Sequence, residues 1–219
     1  MNLGEIIYQA RSDFAEPLAD FVEDVNEVIP WINEGLRMWV ITTKSNRVLF
    51  PAIPTVASQR AYAYPDGCLM VNHVVYAGKK LIPADFENVM SITDWGTLEG
   101  EVTNYYNERD GYISLLKVPA DAGVSLEIYG TKRPVALVNN ADIPTEVPED
   151  YHHALALYAA HKNKMKDEEG SSANEFYKQF MDLAKRYYLQ LHGSPPNRKR
   201  MRNMLEFRVD KTTYESRLY

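Results

Sequence analysis

Apolar residues at the start of the chain recur at helical spacing. Leu3, Ile6, Ile7, Ala10 and Phe14 share one stripe, and Pro17 then interrupts the helix or opens a turn. A second stripe runs through "FVEDVNEVIPWINEGLRMWVITTKS", with Val25, Val28, Ile29, Ile32, Leu36 and Trp39 on one face, carboxylates ahead of it and Lys44 behind. That order of charge suits a helix dipole, whose positive end favours acids and whose negative end favours bases. Pro30 lies inside the stripe, where it either kinks the helix or, as a first-turn residue, marks its beginning.

From residue 48 to 135 the pattern changes to short runs broken by Pro and Gly, which reads as a β-rich module. "VNHVVYAGKKLIPA" predicts a hairpin turning at Ala77-Gly78-Lys79, and "YYNERDGYISLL" another turning between Glu108 and Gly111. A third reversal falls at "PADAG", between "YISLLKV" and "VSLEIYG". Loops this short imply antiparallel pairing.

Helical spacing returns after "NNADIPTEVPED". Pro148, Glu149 and Asp150 stand where a helix start tolerates proline and favours acids, and Tyr151, Ala154, Leu155, Tyr158 and Ala159 form the stripe that follows. "EEGSS" breaks it, with Gly170 as the stop. A last helix carries Phe176, Phe180, Leu183, Ala184, Tyr187 and Leu191 on one face and ends at Gly193-Ser194-Pro195-Pro196. The expected fold is α+β, with terminal α-helices packed as a small bundle, a central antiparallel β-rich module and an extended C-terminal tail. Its expected divisions are N-terminal helices over 1–47, the β-rich module over 48–135, C-terminal helices over 136–192 and an arm over 193–219.

Composition narrows the class. With 219 residues and 45% hydrophobic positions, the chain is long enough for one good core and short for two. The single Cys68 forms no internal disulfide and reads as a small buried hydrophobe made in a reducing compartment. Glu5 stands where a signal peptide needs cations, and no apolar run approaches the roughly 18 residues of a membrane span, so a soluble, cytoplasmically made protein with no membrane partner is expected.

No signal for catalysis rises from the residues, and no cofactor is expected. A phosphate loop, a nucleophile elbow and a His-Glu-x-x-His pair are all missing. His152, His153 and His161 cluster, but metal ligands on one helix want a spacing of about four, and His153 to His161 spans two turns, roughly 12 Å. The pairs Glu149-Asp150 and Glu168-Glu169 sit at predicted helix ends, where solvated acids are common.

Charge is divided unevenly. Beyond Gly193, seven cations (Arg198, Lys199, Arg200, Arg202, Arg208, Lys211 and Arg217) outnumber three acids (Glu206, Asp210 and Glu215), a local +4 that leaves −10 on the rest of a chain of net charge −6. An acidic body is a poor surface for phosphates. After the basic cluster, Leu205, Phe207 and Val209 alternate with charged residues as in a strand added to another sheet's edge, and Tyr214 and Tyr219 lie beyond any predicted core. The segment therefore reads first as a protein-docking arm, with a solvated end and a nucleic-acid contact as the alternatives.

The phrases "LGEIIYQAR" and "EDVNEVIPWINEGLRMW" resemble the first two helices of the head-to-tail adaptor (connector) proteins of tailed bacteriophages, where a "WINEGLR"-type phrase sets an Asn-Glu pair between apolar positions. In "GYISLLKVPADAGVSLEIYGTKRPVALVNNADIPTEVPEDYHHALALYAAHK" a strand, a Pro-x-x-x-Gly turn, a strand ending in Lys-Arg-Pro, an Asp-x-Pro loop and a Val-Pro-Glu-x-Tyr-His helix start follow in that family's order. The likeness covers most of residues 1–190, least over 50–100, and Pro30 departs from it. None of these phrases is a catalytic signature.

The resemblance implies a virion protein of the head-tail neck. Such a protein forms a ring with itself, dodecameric by resemblance, under the portal protein. It extends the DNA channel, through which genomic DNA passes without specific binding, and docks a downstream tail or nozzle protein. The docking arm read from charge and alternation, which lies beyond the likeness, then offers Arg198, Lys199, Arg200, Arg202, Leu205, Phe207, Val209, Tyr214 and Tyr219 as the residues expected to bind the portal or a neighbour. A tail-side ring or completion protein, or a nucleic-acid-binding protein using the basic tail, are the competing expectations.

Overall fold

A computed structural model describes residues 1–14, 23–92, 98–107, 111–167 and 169–193. Within them the first stripe becomes helix α1 (Leu3–Phe14), with Leu3, Ile6 and Ala10 fully buried. It opens on a reciprocal cap, in which the Glu5 N–H donates to Asn2 Oδ1 and the Asn2 N–H donates to Glu5 Oε2. Pro17 lies outside the described residues.

The second stripe begins as a π-helical turn (Asp24–Val28) that runs directly into α2 (Ile29–Thr43), with Pro30 in its first turn. The wide turn sends the Val28 and Ile29 N–H groups back to Glu23 and Asp24, so the helical path crosses the proline without needing a donor from it. Val25 corrects the expected stripe, since it is 73% exposed. More residues per turn over Asp24–Val28 rotate it out of register with the buried face of α2.

The short α3 (Phe86–Met90) lies in the middle of the chain, and a 3₁₀ turn (Glu149–Tyr151) with Pro148 at its cap leads into the bundle's central helix, α4. Helix α4 (His153–Lys166) packs against α1, α2 and α5 (Gly170–His192). Three neighbours approach it because Ala154, Ala156, Ala159 and Ala160 are all buried and small. Gly170 corrects another expectation: it opens α5 and does not stop α4, which ends four residues earlier as the Asp167 N–H turns back to Asn163. On α5, Phe180 and Ala184 are buried and Phe176, Leu183 and Tyr187 flank them, while Leu191 is exposed and Gly193 leaves the helix at φ 73°.

The middle of the chain forms two sheets. The first orders β1 (Arg47–Leu49), β9 (Ser125–Lys132), β4 (Cys68–Tyr76) and β5 (Lys79–Lys80), with β2 (Ile53–Pro54) also paired to β9. The second orders β3 (Ala61–Ala63), β8 (Tyr112–Leu115), β7 (Asn104–Tyr106) and β6 (Ile82–Pro83). Leu126 and Ile128 of β9, Val74 of β4, Ile113 and Leu115 of β8 and Tyr62 of β3 meet in the core of this module.

The Ala77-Gly78 turn closes β4 on β5 with both residues at positive φ, as a tight two-residue hairpin demands. β7 and β8 pair antiparallel, while residues 108–110 of their turn lie outside the described residues. "PADAG" differs from expectation, because it carries the chain from β8 in one sheet to β9 in the other. Both edges of β8 are taken by β3 and β7, so β9 finds its partners in β1, β2 and β4. One pair, β6 with β7, is parallel, made possible by the long connection through α3. The architecture is α+β.

Candidate assembly surfaces

The "WINEGLR" phrase on α2 is consumed by packing. Ile32 and Leu36 enter the helical core, and Gly35 faces Tyr158 so closely that an added Cβ would stand 3.0 Å from its ring. Asn33 Nδ2 donates to the Leu137 carbonyl at 2.9 Å, and the Leu137 N–H donates back to Asn33 Oδ1 at 2.8 Å. Glu34 Oε1 accepts from the Tyr158 hydroxyl at 2.8 Å and from Lys162 Nζ at 3.1 Å. Burial raises the Tyr158 pKa, and the hydrogen bond to the Glu34 carboxylate raises it further. The Asn-Glu pair thus ties α2 to the 133–147 connection on one side and to α4 on the other.

The histidines serve the same end. His152 is buried; its Nε2–H donates to the Val147 carbonyl at 2.9 Å, leaving Nδ1 to accept from the Met1 nitrogen at 2.9 Å. His161 Nδ1–H donates to Ala173 O at 2.9 Å, joining α4 to α5. Among the described residues, no group of three or more His, Cys, Asp or Glu side chains is placed to hold a metal ion. Glu149 and Asp150 lie on the exposed 3₁₀ turn, Glu169 pairs with Lys164, and Glu168 lies outside the described residues. Cys68 is half-buried against the β core, and burial pushes its thiol up, away from thiolate reactivity.

All nine sequence-predicted docking residues, Arg198, Lys199, Arg200, Arg202, Leu205, Phe207, Val209, Tyr214 and Tyr219, lie outside the described residues. Their point of departure is built firmly. His192, the last residue of α5, donates through Nε2 to Thr43 O at 3.1 Å and accepts at Nδ1 from the Arg47 guanidinium at 3.3 Å. Arg47 also donates to Lys44 O at 3.0 Å. The ends of α2 and α5 and the start of β1 therefore meet in one knot beside Gly193.

Two open grooves went unread in the sequence. One lies between α1 and the loop around Asn140, floored by Gly4 and rimmed by Glu5 and Tyr8. The other runs over the outer face of the first sheet, along Lys44, Arg47, Leu49, His73 and Tyr129. A period-two reading of "RVL" would have set Arg47 and Leu49 on one face, but three residues are too few to tell which face is buried.

The family model described as SU10 adaptor protein matches residues 1–200. The chain belongs to that family. It is a bacteriophage adaptor protein, a component of the virion. No curated protein matches it. The match spans both helical segments and the β module of this SU10 adaptor, and no helix among its described residues is long and apolar enough to cross a membrane.

Proposed function

We propose that this SU10 adaptor assembles as a ring beneath the portal protein, extends the DNA channel and presents a docking surface for the next tail component. The family match over residues 1–200 supports this reading most directly. The −10 body is compatible with it, since like-charge repulsion lets DNA slide past a wall without adhering. The role is structural, without catalysis. Its parts divide as helices over 1–47 and 136–192, the β module over 48–135 and the arm over 193–219.

The arm binds the portal or a neighbouring subunit. Arg198, Lys199, Arg200 and Arg202 meet acidic protein surface, while Leu205, Phe207, Val209, Tyr214 and Tyr219 add apolar and aromatic contacts that form on assembly. The His192–Arg47 knot gives the arm a fixed root. Deleting residues 197–219 tests this: the expected product folds, with an unchanged circular dichroism spectrum, and no longer joins portal complexes. Undiminished portal binding by the truncated chain overturns the docking role.

A further inference from the structure

The two grooves have complementary character. The groove beside α1, of about 690 Å³, has Glu5 among its lining side chains and neither lysine nor arginine. The loop that forms its far wall is pinned to α1 by the Leu3 N–H donating to Asp142 O at 2.8 Å and the Gly4 N–H to Asn140 O at 3.0 Å. Tyr8, 78% exposed, stands on its rim, and Val138 and Ile143 are exposed on either side of the pinned loop. Glu149 stands beside it, and the Met1 ammonium on the groove's lining lies 3.9 Å from a carboxylate oxygen of both Glu5 and Glu149, so the three groups together carry one net negative charge.

The groove on the first sheet, of about 510 Å³, is lined by Lys44, Arg47 and His73 and by no carboxylate; Glu127 lies at the next outward position of β9. Register sets Leu49 opposite Tyr129 and Tyr129 opposite His73. The His73 and Tyr129 rings stack with centroids 4.5 Å apart, a flat floor beside a Leu49 that is 53% exposed. Arg47 is held in place by Lys44 O and His192, so its charge is positioned in advance. Among the described residues, neither Lys44 nor Arg47 forms an ion pair.

Head-to-tail association of identical subunits needs two different patches that fit each other. We propose that the acidic groove beside α1 of one copy docks on the cationic outer sheet face of the next. Glu5 and Glu149 then meet Lys44 and Arg47, and Tyr8 packs on Leu49 and the His73–Tyr129 floor. The proposal rests on the ring reading and names its subunit contact. Charge complementarity selects a second copy for the sheet face over the chain's own arm, since a +4 segment is repelled from Lys44 and Arg47. The exposed Leu49 and Tyr8 favour a protein contact over a phosphate backbone.

Disulfide trapping on the full-length chain at high concentration tests it. Oxidation of the Tyr8→Cys/Leu49→Cys double variant is expected to give a ladder of covalent oligomers, and a mixture of the two single variants only a linked dimer, both beyond the wild-type Cys68 background. In sedimentation, Arg47→Glu and Glu149→Lys are each expected to weaken self-association about tenfold, and the two together to restore it. The contact is overturned if no ladder forms, if either single variant links readily to itself, or if the paired charge reversal stays as weak as its parents. Loss of the ladder on deleting residues 197–219 would assign the acidic groove to the arm, and its competition by a duplex DNA probe would assign the sheet face to nucleic acid. A ring seen by electron microscopy on portal complexes without this crosslink overturns the contact and leaves the ring standing; failure to self-associate either alone or on the portal overturns both.

Discussion

Asn33 and Leu137, separated by 104 positions, are joined edge to edge by a side-chain amide that bonds a backbone as a neighbouring strand would. Leu137 is buried and Asn33 half-buried, so water replaces neither bond fully. Replacing Asn33 with Ala removes one donor and one acceptor and leaves the Leu137 peptide groups unpaired. The expected cost is about 2–3 kcal/mol, read as a lower urea midpoint with an unchanged slope. Asn33→Asp keeps the acceptor but sets a carboxylate oxygen against the Leu137 carbonyl, and is expected to be at least as damaging.

Gly35 has no positive φ to explain it; its reason is the Tyr158 ring, 3.0 Å from where a Cβ would sit. Alanine gains about 1 kcal/mol of helix propensity and meets an overpacking penalty of about 1–3 kcal/mol. Gly35→Ala is therefore expected to destabilise the wild-type chain slightly. In a Tyr158→Ala background only the Cβ contact remains, and the cost of the same change is expected to shrink. A double-mutant cycle by thermal unfolding reads the difference as a coupling energy.

Much of the fold was legible where a single period governed a long segment. The stripes on α1 and α5 name their buried faces because each helix rests one face on the bundle. α4 was legible as a helix but not as the centre of the bundle, since a helix buried against three neighbours has no polar side to contrast with its stripe. Val25 was misplaced because a π turn changes the period within the stripe. The pairing of β9 was hidden because a short loop such as "PADAG" records only that the chain reverses, while the partner is decided by which edges are already filled. The arm rests on sequence alone, on its local +4 and on the alternation of Leu205, Phe207 and Val209 with charged residues. The paired grooves were invisible because Tyr8 and Asn140, like Leu49, Tyr129 and His73, come together only through tertiary contacts.

Glu34 makes stability depend on acid. Burial raises its carboxyl pKa, but hydrogen bonds from Lys162 and Tyr158 outweigh that and hold it below the ordinary carboxylate value. A pKa lower in the folded than in the unfolded chain contributes stability above the unfolded value, and that stability is lost as the pH falls through the folded one. Glu34→Gln removes this contribution, so its unfolding free energy is expected to fall less steeply below the ordinary carboxylate range than that of the wild type. Glu27, held low chiefly by Lys166, and Asp142, held low by the Val138 and Asn139 N–H groups, keep the same slope in both proteins. Equal slopes in acid urea titrations would contradict the role given to Glu34.

The arm joins two kinds of contact that salt separates. Arg198, Lys199, Arg200 and Arg202 act through charge, and screening shortens their reach to about 8 Å at physiological ionic strength. Leu205, Phe207 and Val209 act through apolar burial, which salt leaves intact or strengthens. Replacing the four cations with Ser is expected to weaken portal binding at low salt and to matter less as salt rises. Replacing the three apolar residues with Ser is expected to weaken it by a similar factor at every salt concentration. Binding isotherms across a salt series distinguish these cases, and a portal affinity indifferent to both sets of changes would take the arm out of the docking interface.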